Sequence, residues 1–208
     1  MSRHRDISQA RKEKKMHLKH RRFGSWRLLA IGLIVFGLVL LVRGTPASAQ
    51  SATVTYNYLA GAEPLCSINP AFCPDVASAP NGDTITIAGS GTLSIHPDSV
   101  TGGGTYIHKD ASGTVLDQGT WTAQQLLSFV SYGTAPPFPP NFEGGKALVS
   151  IHLSPSTGGA GFDGVLRITC LIGSPPAGAH EGIRLDVQDV INFDKEVSGE
   201  TLFIRTSP

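Results

Sequence analysis

Signatures of catalysis and metal binding are scarce in this chain of 208 residues. It has no Gly-x-Ser-x-Gly elbow, no Ser-x-x-Lys pair and no Walker-type phosphate loop, so these hydrolase and nucleotide-binding motifs give no support to an enzyme. Only three cysteines occur, and none forms a Cys-x-x-Cys metal or redox motif. Charged side chains make up 16% of the chain, which excludes a charge-rich disordered protein.

Charge is distributed unevenly along the sequence. Residues 1–27 hold ten basic and two acidic side chains, whereas the part from Gln50 onward holds six basic and fourteen acidic ones, a net charge of −8. A basic N-terminal segment followed by an apolar run is held in the cytoplasm while the rest of the chain crosses a membrane. The basic run has no aromatic residue before Phe23, so we expect it to contact the export machinery and the membrane, not nucleic acid.

The apolar run extends from Leu28 to Val42 without a charged or hydrogen-bonding side chain. As a helix it would be about 22 Å long, which is short of the roughly 30 Å hydrocarbon core of a bilayer and favours a signal peptide. The small residues that precede Gln50 match a signal-peptidase site, so cleavage between Ala49 and Gln50 is predicted. The alternative is an uncleaved single-pass anchor, which also leaves the acidic part outside.

Three regions follow from these features: a basic cytoplasmic segment at 1–27, a signal or anchor segment at 28–49, and an exported domain at 50–208. Cysteine usage agrees with an oxidising compartment, because all three cysteines lie in the exported region. Cys66 and Cys73 flank a short Pro-containing loop that a local disulfide can close. Cys170 shares a predicted strand face with Leu166 and Ile168, so we expect it to be buried in the core; a bridge from Cys170 to another cysteine is the alternative.

The exported domain is predicted to be all-β, a single sandwich or a partly closed barrel with one short helix. Apolar residues alternate with polar ones in many short segments separated by Gly, Pro, Asp and Asn. The candidate strands are at Val54–Tyr58, Ile85–Ile95, Ala147–Leu153, Leu166–Ile172, Ile183–Val187, Val190–Phe193 and Thr201–Arg205.

Two hairpins and one helix complete the predicted fold. Lys109–Gly113 and Val197–Glu200 contain the turn residues of short hairpin loops. Thr122–Gln125 matches a capping box, and the apolar residues that follow it as far as Gly133 predict a helix of two or three turns. The Pro-rich stretch 135–145 after it is predicted to be a loop.

The candidate ligand residues in the exported domain are His108, His152, His180 and Glu181. His108 and His152 fall on the strand face opposite the apolar residues, where neighbouring strands could present both to one ligand or metal. The sequence His180-Glu181 could supply an acid/base pair. No histidines stand at the spacing of a known zinc motif, and the acidic residues between 186 and 196 do not match a calcium loop, so no metal or cofactor is predicted.

These features favour a secreted or envelope-associated, non-catalytic β-domain that serves as an interaction or structural module. Two alternatives stay open. The first is a β-barrel that carries a small apolar ligand, and the second is a metal-dependent or hydrolytic enzyme based on the four candidate residues.

Overall fold

A computed structural model of the protein describes residues 52–207, and these form a predominantly β structure. Eleven strands lie within this range. A short helix, α1 (Leu65–Ile68), and a 3₁₀ turn (Pro70–Phe72) follow the first strand. The strands are β1 (Val54–Ala60), β2 (Asp75–Ser78), β3 (Thr84–Ile95), β4 (Ser99–Lys109), β5 (Val115–Gly133), β6 (Phe142–Pro155), β7 (Phe162–Cys170), β8 (Gly182–Val187), β9 (Ile191–Phe193), β10 (Lys195–Ser198) and β11 (Thr201–Arg205).

All strands belong to one antiparallel sheet, as the sequence pattern predicts for an all-β domain. Six of them pair in a closed circuit that runs β1, β3, β4, β5, β6, β11 and back to β1. Two branches leave this circuit: β2 and β10 extend from β3, and β7, β8 and β9 extend from β6. Strands β3 and β6 belong both to the circuit and to a branch, because each is long enough to pair with two strands along the same edge. Strand β3 pairs there with β1 and β2, and β6 pairs with β11 and β7.

The period-two pattern of the sequence sets which face of each strand is buried. In β6, Ala147, Val149 and Ile151 are fully buried while the residues between them are partly exposed. The same face of the sheet carries the large inward-pointing side chains of the circuit, which are almost completely buried. These are Tyr58, Leu93, Trp121, Ile151 and Phe203. One continuous hydrophobic core therefore fills the space that the sheet encloses.

A row of glycines makes room for the largest of these side chains. Gly89 on β3 lies directly opposite Gly104 on β4, and Gly104 lies opposite Trp121 on β5. A Cβ atom at Gly89 would overlap the six-membered ring of Trp121. Gly91, two residues on, leaves similar space for the phenol of Tyr58. The glycines in β3 thus serve close packing against aromatic rings.

The helix predicted from Thr122 to Gly133 is wrong, because this segment belongs to β5. Three register shifts against β6 interrupt the strand, and each inserts one extra residue. The inward side chains consequently follow one another at intervals of two and then three residues: Trp121, Ala123, Leu126 and Phe129. An interval of three resembles the helical period, so a bulged strand carries the apolar spacing of an amphipathic helix. The α-helix found among the described residues is α1.

Of the two predicted hairpins, one is confirmed. The β4–β5 hairpin turns at 110–114, where Gly113 adopts a φ of 88° and Asp110 Oδ1 accepts hydrogen bonds from the Ser112 and Thr114 amides. The hairpin at 197–200 is wrong, because β10 pairs with β2 whereas β11 pairs with β1 and β6. Gly199 is needed there for close approach, since a Cβ atom at this position would overlap Asp75.

The predicted disulfide between Cys66 and Cys73 is confirmed, with the two Cα atoms 5.2 Å apart. It ties α1 to the end of the 3₁₀ turn. Cys170 is a free, buried thiol in the core at the end of β7, as its strand face predicts. Burial raises its pKa to about 12, so the thiol stays protonated and unreactive.

The basic segment, the apolar run and the Ala49–Gln50 cleavage site lie outside the described residues. Within 52–207, no helix has the length and apolar character needed to cross a membrane.

Replacing Gly89 by Ala tests the packing of the glycine row. The new methyl group meets the indole of Trp121, so we expect the free energy of unfolding in urea to fall by about 1 to 3 kcal/mol. Ser90→Ala, on the exposed face of the same strand, is the control and should change it by less than about 0.5 kcal/mol. Trp121→Phe should reduce the cost of Gly89→Ala in a double-mutant cycle. If Gly89→Ala lowered the unfolding free energy equally with Trp121 present and in the Trp121→Phe variant, the indole ring would not occupy the space beside Gly89.

Candidate functional site

A groove on the outer face of strands β6, β7 and β8 is the candidate functional site. The core-facing residues of β7 and β8 alternate with outward-facing ones, and the register places Leu148, Arg167 and Arg184 side by side across the three strands. Lys146 lies one step away, opposite Thr169. We refer to Lys146, Leu148, Val165, Arg167, Thr169 and Arg184 as the cationic groove.

Two adjoining cavities make up the groove, and both are lined by Arg167 and Arg184. The larger, of about 280 Å³, has apolar walls from Leu148, Val165 and Phe193 and also borders Asp186 and Asp194. The smaller, of about 180 Å³, lies between Lys146, Arg167 and Thr169 on the strands and the 176–180 loop. The groove therefore joins an apolar surface to a positively charged end.

The two arginines of the groove differ in their partners. The Nε atom of Arg184 donates to Glu196 Oε1 at 2.6 Å, and this hydrogen bond raises the pKa of the arginine. Arg167 has no such partner: its buried Nε lacks an acceptor, and no ion pair to it or to Lys146 is formed within residues 52–207. Burial raises the pKa of Tyr132, which lines the smaller cavity, and the positive charge of Arg167 opposes that rise.

This arrangement supplies hydrogen-bond donors with positive charge beside an apolar wall. Such a surface orients and holds a ligand. Lys146 and Arg167 contribute hydrogen-bond donors and no acceptors to it, and His180 lies exposed at its rim.

The prediction that His108 lies on the outer face is wrong. It is directly opposite Ile85, a core residue, so its ring points inward at one end of the sheet. There the Nε2 atom lies 3.1 Å from Asp83 Oδ2, and the ring meets Phe193 edge-on with centroids 5.2 Å apart. Strand alternation misassigned this residue because β4 has few apolar side chains to mark its inner face.

His152 lies on the outer face, as predicted. Its Nδ1 atom is 2.8 Å from Asp163 Oδ1 on β7, while a Cβ atom at Gly161 would overlap Nε2. The two ring nitrogens of His152 therefore face a carboxylate and a tight backbone turn. Since His108 and His152 occupy opposite faces of the sheet, the structure does not bring them together.

His180 and Glu181 also have separate surroundings. His180 is exposed at the rim of the smaller cavity. Glu181 is largely buried and accepts three hydrogen bonds: from the Leu171 amide at 2.7 Å, the Thr201 amide at 2.9 Å and the Thr201 hydroxyl at 2.8 Å. Glu181 thus joins the ends of β7 and β11 through these three hydrogen bonds.

Asp75 is a buried ionisable residue that sequence reasoning missed. Its side chain is 0% exposed, and neither carboxyl oxygen has a hydrogen-bond partner among the described residues. Burial, followed by the nearby charges of Glu181 and Glu200, raises its pKa to about 9. Burial also raises the pKa values of Glu181 and Glu200. No local pattern marks Asp75 in the sequence, since its neighbours come from distant strands.

The residues of the groove were also missed, although a signal for them existed. Three of the six basic residues in the exported domain, Lys146, Arg167 and Arg184, occupy outward positions of strands that the alternation predicts. Only the pairing of β6, β7 and β8 shows that they converge.

Within residues 52–207, no three His, Cys, Asp or Glu side chains are grouped so that they could hold a metal ion. Comparisons with protein families, curated proteins and solved structures found no match to the chain.

Asp75→Asn tests the buried carboxyl group. With a folded-state pKa of about 9 against an ordinary value of 3.8, the aspartic acid binds a proton more tightly in the folded protein, so its stabilising contribution is present at acidic pH and is lost as the pH rises towards 9. We expect the unfolding free energy of the unaltered protein to fall by up to about 1.4 kcal/mol per pH unit across this window. Because Asn carries no charge, the unfolding free energy of the variant should fall less steeply with pH. The remaining pH dependence comes from Glu181 and Glu200.

Urea unfolding at about pH 4 and about pH 8 measures the effect. Asp75→Asn should be the more stable protein at the higher pH and gain nothing at the lower one. Asp98→Asn, in an exposed turn, is the matched control for loss of one carboxylate. An Asp75→Asn variant whose advantage does not grow with pH would contradict the assignment of a proton to this carboxyl group.

Proposed function

We propose that the protein is a secreted or envelope-associated, non-catalytic β-domain that binds a partner molecule in the cationic groove. The observation that carries this proposal is that Arg167 and Lys146 form no ion pair within residues 52–207, although acidic side chains outnumber basic ones by fourteen to six from Gln50 onward. Carboxylates are abundant enough to neutralise both cations. Arg167 and Lys146 instead lie beside open cavities, which favours a ligand as their partner.

An extracytoplasmic location is supported by the disulfide between Cys66 and Cys73, which is compatible with an oxidising compartment. The basic and apolar segments before Gln50 supply the export signal in this proposal. Cleavage after Ala49 releases the domain, and retention of the segment anchors it; both place the groove outside the cytoplasm.

The carrier of a small apolar ligand is the second candidate function. The closed circuit of six strands favours a partly closed barrel over a sandwich, and barrels of about eight strands can hold one small molecule. Against this stands the interior itself, which is occupied by Trp121, Tyr58 and Phe203. A ligand seated there would have to displace packed aromatic rings.

The enzyme is the third candidate. It rests on His180 and Glu181, but the carboxylate of Glu181 already accepts hydrogen bonds from Leu171 and Thr201. His108 and His152 are each paired with an aspartate on opposite faces of the sheet. These contacts favour structural roles for Glu181, His108 and His152.

Export is tested by mass spectrometry of the full chain after alkylation of free thiols under denaturing conditions. We expect Cys66 and Cys73 to be protected as a disulfide and Cys170 to be labelled, in protein recovered outside the cytoplasm. A variant that lacks Leu28–Val42 is the control and should keep all three thiols reduced in the cytoplasm, because reducing systems act there. Recovery of the intact full-length chain in the cytosol with reduced Cys66 and Cys73 would contradict the proposal.

Binding in the groove is tested by amide chemical shifts of the full chain, kept in mild detergent, against benzoate, benzamide and benzylamine. Probes that bind should shift the amides around Leu148, Arg167 and Arg184, and leave those around Leu93 and Trp121 unchanged. Affinities on the order of millimolar are expected for molecules this small. Shifts that concentrate at the interior residues would support the carrier instead, and silence of the groove towards every probe would overturn the proposed function.

A further inference from the structure

The ligand's charge can be read from the smaller cavity of the groove. Lys146, Arg167, Arg184 and His180 line it, together with a single acidic residue, Glu196. Glu196 is already bonded to Arg184. The charges of Lys146 and Arg167 are therefore left uncompensated at this end.

The hydrogen bonding of Arg167 gives a second and independent indication that the ligand is an anion. Among residues 52–207 the buried Nε atom of Arg167 has no hydrogen-bond acceptor, so this N–H group has lost contact with water without gaining a protein partner. An unsatisfied buried donor costs about 1 to 3 kcal/mol, and more when the group is charged. Neighbouring carboxylates could have satisfied it, yet Asp186 and Asp194 line the larger cavity and form no ion pair with Arg167.

The apolar wall adjoins this charged end. Leu148 and Val165 line the larger cavity, which shares Arg167 and Arg184 with the smaller one. Together the two cavities approach the size of the smaller ligand sites in proteins. A molecule that spans both would place a charged group on the cations and an uncharged part over Leu148 and Val165.

From these observations we infer that the groove binds a small organic anion whose oxyanion group, a carboxylate or a phosphate, bonds to Arg167 and Lys146 while its apolar part covers Leu148 and Val165. This inference rests on the proposed function, because it names the ligand class of the same groove. The planar guanidinium of Arg167 pairs two N–H groups with two oxygens, and the ammonium of Lys146 adds a point charge. Asp186 and Asp194 border the other end of the groove, where they disfavour a second anionic group.

The test compares four probes of similar size by titration calorimetry with the full chain: benzoate, phenyl phosphate, neutral benzamide and cationic benzylamine. Benzoate and phenyl phosphate should bind at least about tenfold more tightly than benzamide, because each gains charge-assisted hydrogen bonds. The comparison between the two anions distinguishes a carboxylate ligand from a phosphate ligand. Binding of both should weaken as salt is added.

Four variants locate the binding. Arg167→Gln and Lys146→Gln should each weaken anion binding by about tenfold or more, whereas Lys109→Gln, which removes the same charge from the end of β4, should leave it unchanged. Arg167→Lys keeps the charge but loses the planar pair of donors, so intermediate affinity is expected. A direct reporter is the Arg167 Nε–H resonance, assigned by its loss in Arg167→Gln, which should shift on addition of the anions and stay in place with benzamide.

Two outcomes would overturn the inference while leaving the proposed function intact: benzamide or benzylamine binding in the groove as tightly as the anions, or anion affinity unchanged in Arg167→Gln. If the anions bind but shift amides near Trp121 and leave those near Leu148 unchanged, both the inference and the groove as the binding site fail. Unfolding curves that coincide for Arg167→Gln and Lys109→Gln exclude misfolding as the cause of a lost affinity.

Discussion

The contact between the indole of Trp121 and the glycine row of β3 and β4 is the constraint on which the architecture depends. Gly89, Gly104 and Trp121 lie in one row across three adjacent strands: the missing side chain at Gly89 leaves room for the ring, and the one at Gly104 allows β4 to approach the backbone of β3. With the ring in place, strands β3, β4 and β5 can turn inward and the circuit through β6, β11 and β1 can close. The same packing fills the interior, which leaves the outer surface as the place where a ligand finds space.

The charged residues are divided in the same way, some buried in the filled interior and others on the outer surface. Asp75 is enclosed in the core with Glu181 and Glu200 nearby, and burial raises the pKa values of all three carboxyl groups. Lys146 and Arg167 are on the opposite side of the β6–β7 sheet, away from these carboxyl groups. Three Lys and Arg side chains and one acidic side chain line the smaller cavity of the groove, and we propose that this local excess of positive charge selects the ligand.

Strand alternation predicted much of this fold from sequence, and its failures have physical causes. It identified β3, β6, β7 and β8 because one face of each is buried along its length. It failed in β5, where bulges change the spacing of Leu126 and Phe129 from two residues to three. Turn residues, in contrast, gave a wrong hairpin at Gly199, because this glycine allows a close approach to Asp75 and its two flanking strands do not pair with each other. Turn chemistry is local, whereas strand pairing is decided by the whole core.

The candidate site was less predictable than the fold for the same reason. The disulfide between Cys66 and Cys73 spans seven residues and could be read directly from the sequence. The groove joins residues from Lys146 to Arg184, and its character depends on which carboxylates do not reach Arg167. That no carboxylate bonds to Arg167 can be seen only when the positions of all its neighbours in the fold are known. His108 shows a different limit: its polar character predicts an outward-facing side chain, whereas its ring lies on the inner face with Ile85 and contacts Phe193.

A crystal structure of the protein grown with phenyl phosphate would show where an anionic ligand lies. We expect the phosphate between Lys146 and Arg167, the phenyl ring over Leu148 and Val165, and the rings of Trp121 and Tyr58 undisturbed. Phenyl phosphate inside the strand circuit, with Trp121 displaced from Gly89, would contradict this expectation.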